Sequence, residues 1–188
     1  MRIVAGTFRG RPLATPADMS IRPTSDRVRE AIFNIIAHGL DGVEIEGARV
    51  LDLFAGTGAL GIEAISRGAK FCLFVEDGAE ARGLIRQNVE AFGLTGVTKI
   101  FRRDATDLGP AANQGAHSLA FLDPPYGKGL AEKALAAAAR GGWLTPGALC
   151  VVEEAKDAAL DWPQGFALLD QRSWGDTTVH FLRYKPAA

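Results

Sequence analysis

The chain has 188 residues, with 21 Lys and Arg against 22 Asp and Glu, a net charge of −1. Its 47% apolar and 23% charged residues exclude a disordered chain, which needs low hydrophobicity and high net charge. The total charge excludes a strongly basic nucleic-acid binder. No run of about eighteen apolar residues is present to span a membrane, and the N-terminus is too short and polar for a signal peptide. Cys72 and Cys150 are too few for a disulfide scaffold or a structural zinc site. Both stand in apolar runs and read as buried thiols of a cytoplasmic protein.

Residues 1–40 form a first segment. It holds a strand-like run over 1–7, a turn at Arg9-Gly10-Arg11-Pro12, and a helix capped by Thr24 or Ser25 and stopped by Gly39. Val28, Ala31, Ile32, Ile35 and Ile36 give that helix one apolar face. The first thirty residues carry Arg2, Arg9, Arg11, Arg22, Arg27 and Arg29 against Asp18, Asp26 and Glu30, and no lysine precedes Lys70. Such an excess suits a solvated surface as well as it suits phosphate contact.

Residues 41–188 read as one compact unit. Short strands over 50–54, 71–75, 98–103, 118–122 and 149–152 alternate with helices over 59–67, 79–92 and 129–140. Leu84, Ile85, Val89 and Phe92 face inward from the second helix. Near-continuous apolar strands between helices predict a doubly wound, mostly parallel α/β sheet covered on both faces. Strands over 166–172 and 177–184, joined by a turn at Ser173-Trp174-Gly175-Asp176, read as an antiparallel pair closing one edge. Ligands of such sheets bind beyond the C-terminal strand ends, so the loops there carry the information.

The first loop runs from Asp52 through Phe54, Ala55, Gly56, Thr57 and Gly58 to Gly61. It matches the glycine pattern that lets backbone turn tightly and approach a ligand; a glycine turn alone also serves any strand–helix junction. Asp52 ends an apolar strand, where an unpaired charge is costly; a cationic or hydrogen-bond-donating ligand explains it. Glu76, which ends the second apolar strand, has the position to bind ribose hydroxyls. The adjoining Asp77 suits a helix cap better. Asp104 and Ala105 follow the third strand, where Asp104 has a position to accept an adenine amine or simply to serve a loop.

Asp123-Pro124-Pro125-Tyr126 follows the fourth strand and is the most specific signal. The prolines stiffen the turn and remove two N–H donors. What remains is the Asp123 carboxylate and the Pro124 carbonyl, two acceptors for the two hydrogens of an exocyclic amine. Tyr126 supplies a ring to stack on the base.

Together these loops resemble the class I S-adenosylmethionine-dependent methyltransferases that modify exocyclic amines. Two blocks narrow the resemblance. One is Arg2-Ile3-Val4-Ala5-Gly6-Thr7-Phe8-Arg9-Gly10-Arg11-Pro12-Leu13. The other is Arg22-Pro23-Thr24-Ser25-Asp26-Arg27-Val28-Arg29-Glu30. With the closing Trp174-Gly175-Asp176-Thr177 turn, they resemble the bacterial 16S rRNA (guanine(966)-N(2))-methyltransferases, the RsmD family.

The resemblance implies a Rossmann-like sheet of seven strands with an antiparallel C-terminal strand and a small N-terminal hairpin and helix extension. It implies S-adenosyl-L-methionine held by Thr24, Asp52, Phe54, Ala55, Gly56, Thr57, Gly58, Glu76, Asp77, Asp104, Ala105 and Asp123, with S-adenosyl-L-homocysteine as product and no metal. It implies catalysis by Asp123, Pro124, Pro125 and Tyr126, with Phe33 and Asn34 helping to close over the cofactor; Phe33 reads equally as core. Arg9, Arg11, Arg22 and Arg27 are expected to contact 16S rRNA within a 30S assembly particle, the enzyme being a monomer. His38, His117 and His180 have no ligand spacing.

Three other readings stay open. The catalytic turn serves an adenine-N6 methyltransferase acting on DNA or RNA as well as it serves a guanine enzyme. A nicotinamide dehydrogenase lacks the acid–base and hydride site it needs. A non-catalytic RNA-binding protein leaves Asp52 and Asp123 unexplained.

Overall fold

A computed structural model describes residues 1–17 and 24–187. The elements, in chain order, are α1 (Asp26–His38), β1 (Arg49–Leu53), α2 (Ala59–Ser66), β2 (Phe71–Val75), α3 (Ala79–Ala91), β3 (Thr98–Phe101), β4 (His117–Leu122), α4 (Leu130–Gly141), β5 (Leu144–Ala155), β6 (Phe166–Trp174) and β7 (Thr177–Tyr184). No helix among the described residues is long and apolar enough to cross a membrane.

The strands form one seven-stranded sheet in the order β3-β2-β1-β4-β5-β7-β6. β1 to β5 run parallel, and β7 pairs antiparallel with both β5 and β6. β7 is therefore interior, and β6 alone closes that edge. From β1 the chain first builds outward through β2 and β3, then returns to place β4 on the other side of β1. That reversal opens a crevice beyond the C-terminal ends of β1 and β4.

Alternation along each strand divides the core. Val50, Cys72, Phe74, Phe121, Val151, Val179 and Phe181 pack with α1, α2 and α3 on one face. Leu51, Leu53, Leu73, Val75, Leu122, Val152 and Leu182 pack with α4 on the other. Burial on both faces is why these strands read as continuous apolar runs. Burial also pushes both thiols up, that of Cys150 to about 12, so they behave as apolar core.

The N-terminal run is not a strand. Residues 1–13 form a hairpin-like loop closed by an isolated Arg2–Pro12 bridge, with Ile3 N–H donating to the Arg11 carbonyl and Leu13 N–H to Met1. Four of its other amides are taken up by α2. Val4 and Ala5 N–H donate to the Glu63 carboxylate, and Thr7 and Phe8 N–H to the Ser66 carbonyl and hydroxyl. Ile3 and Leu13 join the same core as Ile32, Phe33 and Ile36 of α1.

α1 starts where the Ser25 hydroxyl accepts the Val28 N–H at 3.2 Å. β5 is longer at both ends than its apolar run. A bulge around Pro146 and Gly147 hides its start, with His117 opposite Leu144 and Leu119 opposite Leu149; proline is tolerated in strands at such bulges. Its far end carries Glu153 and Glu154, both buried.

Candidate active site

The loops beyond β1, β2, β3, β4 and β5, the first turn of α1 and the β6–β7 turn surround one cavity of about 1020 Å³. Asp52, Glu76, Asp77 and Asp104 line one side; Asp123, Glu153 and Asp176 line the other. No lysine or arginine stands among its described lining residues. A cavity so lined favours a cationic guest.

Asp52 is the deepest of these groups, 1% exposed. Its Oδ2 accepts the Gly61 N–H at 3.1 Å, tying the strand end to the first turn of α2. Burial foremost, with Glu76 adding to it and the Gly61 hydrogen bond opposing, raises its carboxyl well above the ordinary range. A positive group in the cavity would offset that burial. Gly61 itself is a packing residue. A Cβ there would lie 2.6 Å from Cys72 Sγ and from the Phe74 ring, so only glycine lets α2 sit this close to β1 and β2.

Between them the chain turns through Phe54 (φ 55°), Gly56 (φ 60°) and Gly58 (φ 80°). Phe54 is one of few non-glycine residues here in the left-handed region, a strain of about 1–3 kcal/mol found where function needs the geometry. Glu76 holds this turn in place. Its Oε1 accepts the Gly56 N–H and its Oε2 the Gly78 N–H, each at 2.9 Å. The remaining lone pairs of the carboxylate are free in number to accept ribose hydroxyls. Asp104 accepts the Thr106 N–H and hydroxyl at 2.8 and 2.7 Å, a self-capped loop whose carboxylate still faces the cavity.

The Asp123-Pro124-Pro125-Tyr126 turn sits across from these loops. The Thr24 hydroxyl is 3.3 Å from Asp123 Oδ2 and 2.9 Å from Glu153 Oε2. The Tyr126 hydroxyl donates to Glu153 Oε1 at 3.2 Å and lies 2.7 Å from the Thr177 hydroxyl. Gly127 N–H donates to Glu154 Oε1 at 3.0 Å. The turn is thus pinned to the end of β5 and to the β6–β7 turn. Burial, then the neighbouring Glu153, raises the Asp123 carboxyl well above the ordinary range. Burial also raises the Tyr126 phenol, which stays a neutral hydroxyl.

Of the expected cofactor residues, Thr24, Asp52, Phe54, Ala55, Gly56, Thr57, Glu76, Asp77, Asp104 and Asp123 all line this cavity. Gly58 and Ala105 do not. Gly58 caps α2 and faces Phe74 and Ile85, and Ala105 is buried in the α4-side core. Phe33 is core, fully buried with its ring centroid 5.4 Å from that of Phe121. Asn34 is exposed on α1 away from the lining.

The expected RNA contacts are scattered. Arg27 is exposed on the first turn of α1, beside the cavity-lining Ser25 and Val28. Arg11 lies at the other end of the helical layer. Its Nη2 donates to the Ala91 carbonyl at 2.7 Å, and its guanidinium sits 4.4 Å above the Phe92 ring. Arg9 is exposed on the same loop, and Arg22 lies outside the described residues. Arg29 belongs to the interior: fully buried, it pairs with Glu63 at 3.1 Å and with Asp26 at 2.9 Å. The basic excess of the first segment is therefore smaller at the surface than in the sequence.

Sequence reasoning missed Glu153, Thr177 and the lining role of Trp174 and Asp176. Glu153 had a readable signal: it ends the apolar run Cys150-Val151-Val152 as Glu76 ends that of β2. It also missed Asn88, buried on α3, whose Nδ2 donates to the Thr57 carbonyl at 3.0 Å and whose Oδ1 accepts the Ala14 N–H at 2.7 Å. No cluster of three or more metal-ligating side chains occurs among the described residues.

A strand-reversal crevice with a glycine turn, an acid on each of two strand ends and an Asp-Pro-Pro-Tyr turn opposite them defines a class I methyltransferase. The family model described as "Conserved hypothetical protein 95" matches residues 1–183, and the chain belongs to that family, the RsmD-type methyltransferases. It is similar to the Ribosomal RNA small subunit methyltransferase D of Haemophilus influenzae, 35% identical over 177 residues, covering 93% of this chain and 89% of that one. The protein of the same description from Escherichia coli K12 is 38% identical over 162 residues, 85% of this chain and 77% of that one. Among solved structures, the "Putative methyltransferase yhhF from Escherichia coli" superposes with a TM-score of 0.83 at 30% identity, covering 100% and 99% of the two chains.

Proposed function

We propose that this protein transfers a methyl group from S-adenosyl-L-methionine to the exocyclic N2 amine of a guanine in 16S rRNA, at the position the RsmD family name denotes (966). The observation that carries this reading is the meeting of the Asp52–Glu76 loops and the Asp123–Tyr126 turn across one acidic cavity. The bound cofactor supplies an electrophilic methyl group on a sulfonium and leaves as S-adenosyl-L-homocysteine. Asp52 and Glu76 suit its ammonium and ribose hydroxyls, and Asp104 its adenine amine.

The chain's own residues then act on the base. The amine nitrogen is a poor nucleophile because its lone pair is delocalised into the ring. Asp123 and the Pro124 carbonyl accept its two hydrogens, turn the lone pair toward the methyl and stabilise the positive charge that develops on nitrogen; the nitrogen then gives up one of these protons, to Asp123 or directly to solvent. Asp123 must be ionised for this role. Its raised carboxyl is brought toward ionisation by the positive charges of the loaded cavity. Tyr126 packs on the base face while its hydroxyl stays anchored to Glu153 and Thr177. Alignment of two bound reactants is worth up to roughly 7–11 kcal/mol, so positioning is the main contribution.

The names of the relatives support ribosomal RNA as the acceptor; the rest of the reading is the proposal's own, an unpaired base that a 30S assembly particle presents to a cytoplasmic, monomeric enzyme. Arg27 stands at the cavity mouth for phosphate contact, with Arg9 and Arg11 on a more distant patch. The test is transfer of labelled methyl to small subunits lacking the modification, to deproteinised 16S rRNA and to duplex DNA, followed by nucleoside mass spectrometry. N2-methylguanosine from subunits or rRNA is the expected product. N6-methyladenosine, or label in DNA alone, overturns the reading in favour of an adenine-N6 enzyme.

A further inference from the structure

The carboxylate that faces Asp123 enters the mechanism above only as an anchor for the Tyr126 hydroxyl. Glu153 is set opposite the catalytic turn by the sheet itself. β4 and β5 run parallel with Leu122 beside Val152, so the next residue on each strand, Asp123 and Glu153, emerges at the same level. Glu153 is 9% exposed. Neither of its oxygens contacts a cation among the described residues. One takes the Thr24 hydroxyl and the other the Tyr126 hydroxyl.

A hydroxyl has one hydrogen and two lone pairs. Thr24, at 2.9 Å from Glu153 and 3.3 Å from Asp123, can donate to only one of them. When its hydrogen goes to Glu153, its lone pairs face Asp123, which then keeps this contact only as the protonated acid. When its hydrogen goes to Asp123, Glu153 loses that donor and retains Tyr126. The Thr24 hydroxyl thus links the ionisation of Asp123 to the placement of Glu153, and Tyr126 is held by the same carboxylate.

We propose that Glu153 is a positioning residue for methyl transfer: through the Thr24 and Tyr126 hydroxyls it fixes the Asp123 carboxyl and the stacking ring together. This rests on the amine-methylation reading. The groups facing Asp123 agree in sign. Glu153 from β5 and Asp52 from β1 act on it directly, beside the neutral Thr24 hydroxyl, and the other charged groups lining the cavity, Glu76, Asp77, Glu80, Asp104 and Asp176, are acids as well. Glu153 is the nearest carboxylate bonded into the same network, and its charge, after burial, contributes most to the raised Asp123 carboxyl.

The experiment compares the full-length wild type with Glu153→Gln and Glu153→Asp. Glu153→Gln keeps the shape but removes the charge and replaces one of the two acceptor oxygens with an N–H donor, so the Thr24 and Tyr126 hydroxyls can no longer both donate to it. Its kcat on small subunits falls roughly tenfold to hundredfold, as misplacement of reacting groups does, while the KM for S-adenosylmethionine changes much less. The acid limb of its kcat/KM profile moves to lower pH, because Asp123 ionises more easily without the neighbouring charge. Glu153→Asp retains the wild-type acid limb more closely than Glu153→Gln does. A Glu153→Gln enzyme with wild-type kcat and an unmoved acid limb overturns the proposal. So does an equal loss in both variants with no shift of that limb, which marks a purely structural role.

A readout without turnover separates this from the functional reading. Carbon-13 titration of the Asp123 carboxyl, assigned with Asp123→Asn, shifts downward in Glu153→Gln if the proposal holds and stays in place if it does not. If the wild type forms no N2-methylguanosine, the functional reading falls, and this titration still decides the link between the two carboxyls.

Discussion

The Arg29 guanidinium meets the Glu63 carboxylate at 3.1 Å with both side chains fully withdrawn from solvent. Around that contact the N-terminal loop, α1 and α2 are stitched into one network. Glu63 also accepts the Val4 and Ala5 N–H groups and pairs with Arg67 at 2.9 Å, and Arg29 also donates to the Arg2 carbonyl. Every oxygen of the carboxylate is matched, the condition under which a buried ion pair is tolerated. Glu63→Gln leaves the buried Arg29 with only the half-exposed Asp26 as counter-charge. It should lower stability by about 3–5 kcal/mol and release residues 1–13 from α2. Urea unfolding and limited proteolysis measure the two effects. A loss under about 1 kcal/mol with an intact N-terminal loop would show that the pair contributes little.

The close approach of α2 to the sheet makes a paired glycine test. Gly61→Ala places a Cβ 2.6 Å from Cys72 Sγ and Phe74, and 3.0 Å from Asp52 Oδ2. The helix must back away, at a cost of roughly 1–3 kcal/mol, and S-adenosylhomocysteine binding should weaken as the Asp52 contact opens. Gly83, within α3, has open space within 4 Å of the point where a Cβ would stand. Gly83→Ala should therefore stabilise by about 0.5–1 kcal/mol through helix propensity. Thermal melts and calorimetric titration on both variants check this; equal behaviour of the two would remove the close-packing argument.

The sheet was legible in the sequence because burial on both faces writes each parallel strand as an apolar run. The cofactor loop and the Asp-Pro-Pro-Tyr turn were legible because glycine and proline spell backbone geometry directly. What was lost were the buried polar residues. Arg29 counted toward a basic surface because sequence shows charge and not its partner, and Glu63 lies 34 residues away. Glu153 fell outside a strand that was read only as far as its apolar run. Asn88 occupies a position on the inner face of α3 where the periodic pattern expects an apolar side chain. The run over 1–7 has strand-like alternation, yet the Val4, Ala5 and Thr7 amides are taken by α2. In each case a tertiary hydrogen bond overrode a local rule.

Asp123 and Asp52 place function against stability. Both carboxyls are raised in the folded protein, chiefly by burial. A raised acid favours the folded state at low pH, and that stabilisation is lost as pH climbs from the ordinary value of 3.8 through the raised one. Asp123→Asn should thus melt at a higher temperature than the wild type at pH 8, and the difference should shrink toward pH 4. The same variant should lose about 10²-fold or more in methyl transfer, as removal of a charge-stabilising group does, while S-adenosylhomocysteine still binds. Melting curves across pH and single-turnover transfer measure both sides. Near-normal turnover in Asp123→Asn would remove Asp123 from the reaction; a stability gap that widens toward acid would reverse the assigned sign.

The exposed arginines make a prediction about RNA that is independent of chemistry. Each phosphate neutralised by a side chain contributes about one to the slope of log affinity against log salt. Arg27→Glu, beside the cavity mouth, and Arg9→Glu, on the loop against α2, should each weaken rRNA binding and flatten that slope by roughly one. Arg11 differs, because its guanidinium already stacks on Phe92 and bonds the end of α3. Arg11→Glu should lower the melting temperature as well as the affinity, since a planar guanidinium on a ring packs as well as charges. Filter-binding titrations at several salt concentrations, run beside thermal melts, separate the three. A slope unchanged by Arg9→Glu and Arg27→Glu would take phosphate contact away from this end of the chain and leave Arg11 as a purely structural residue.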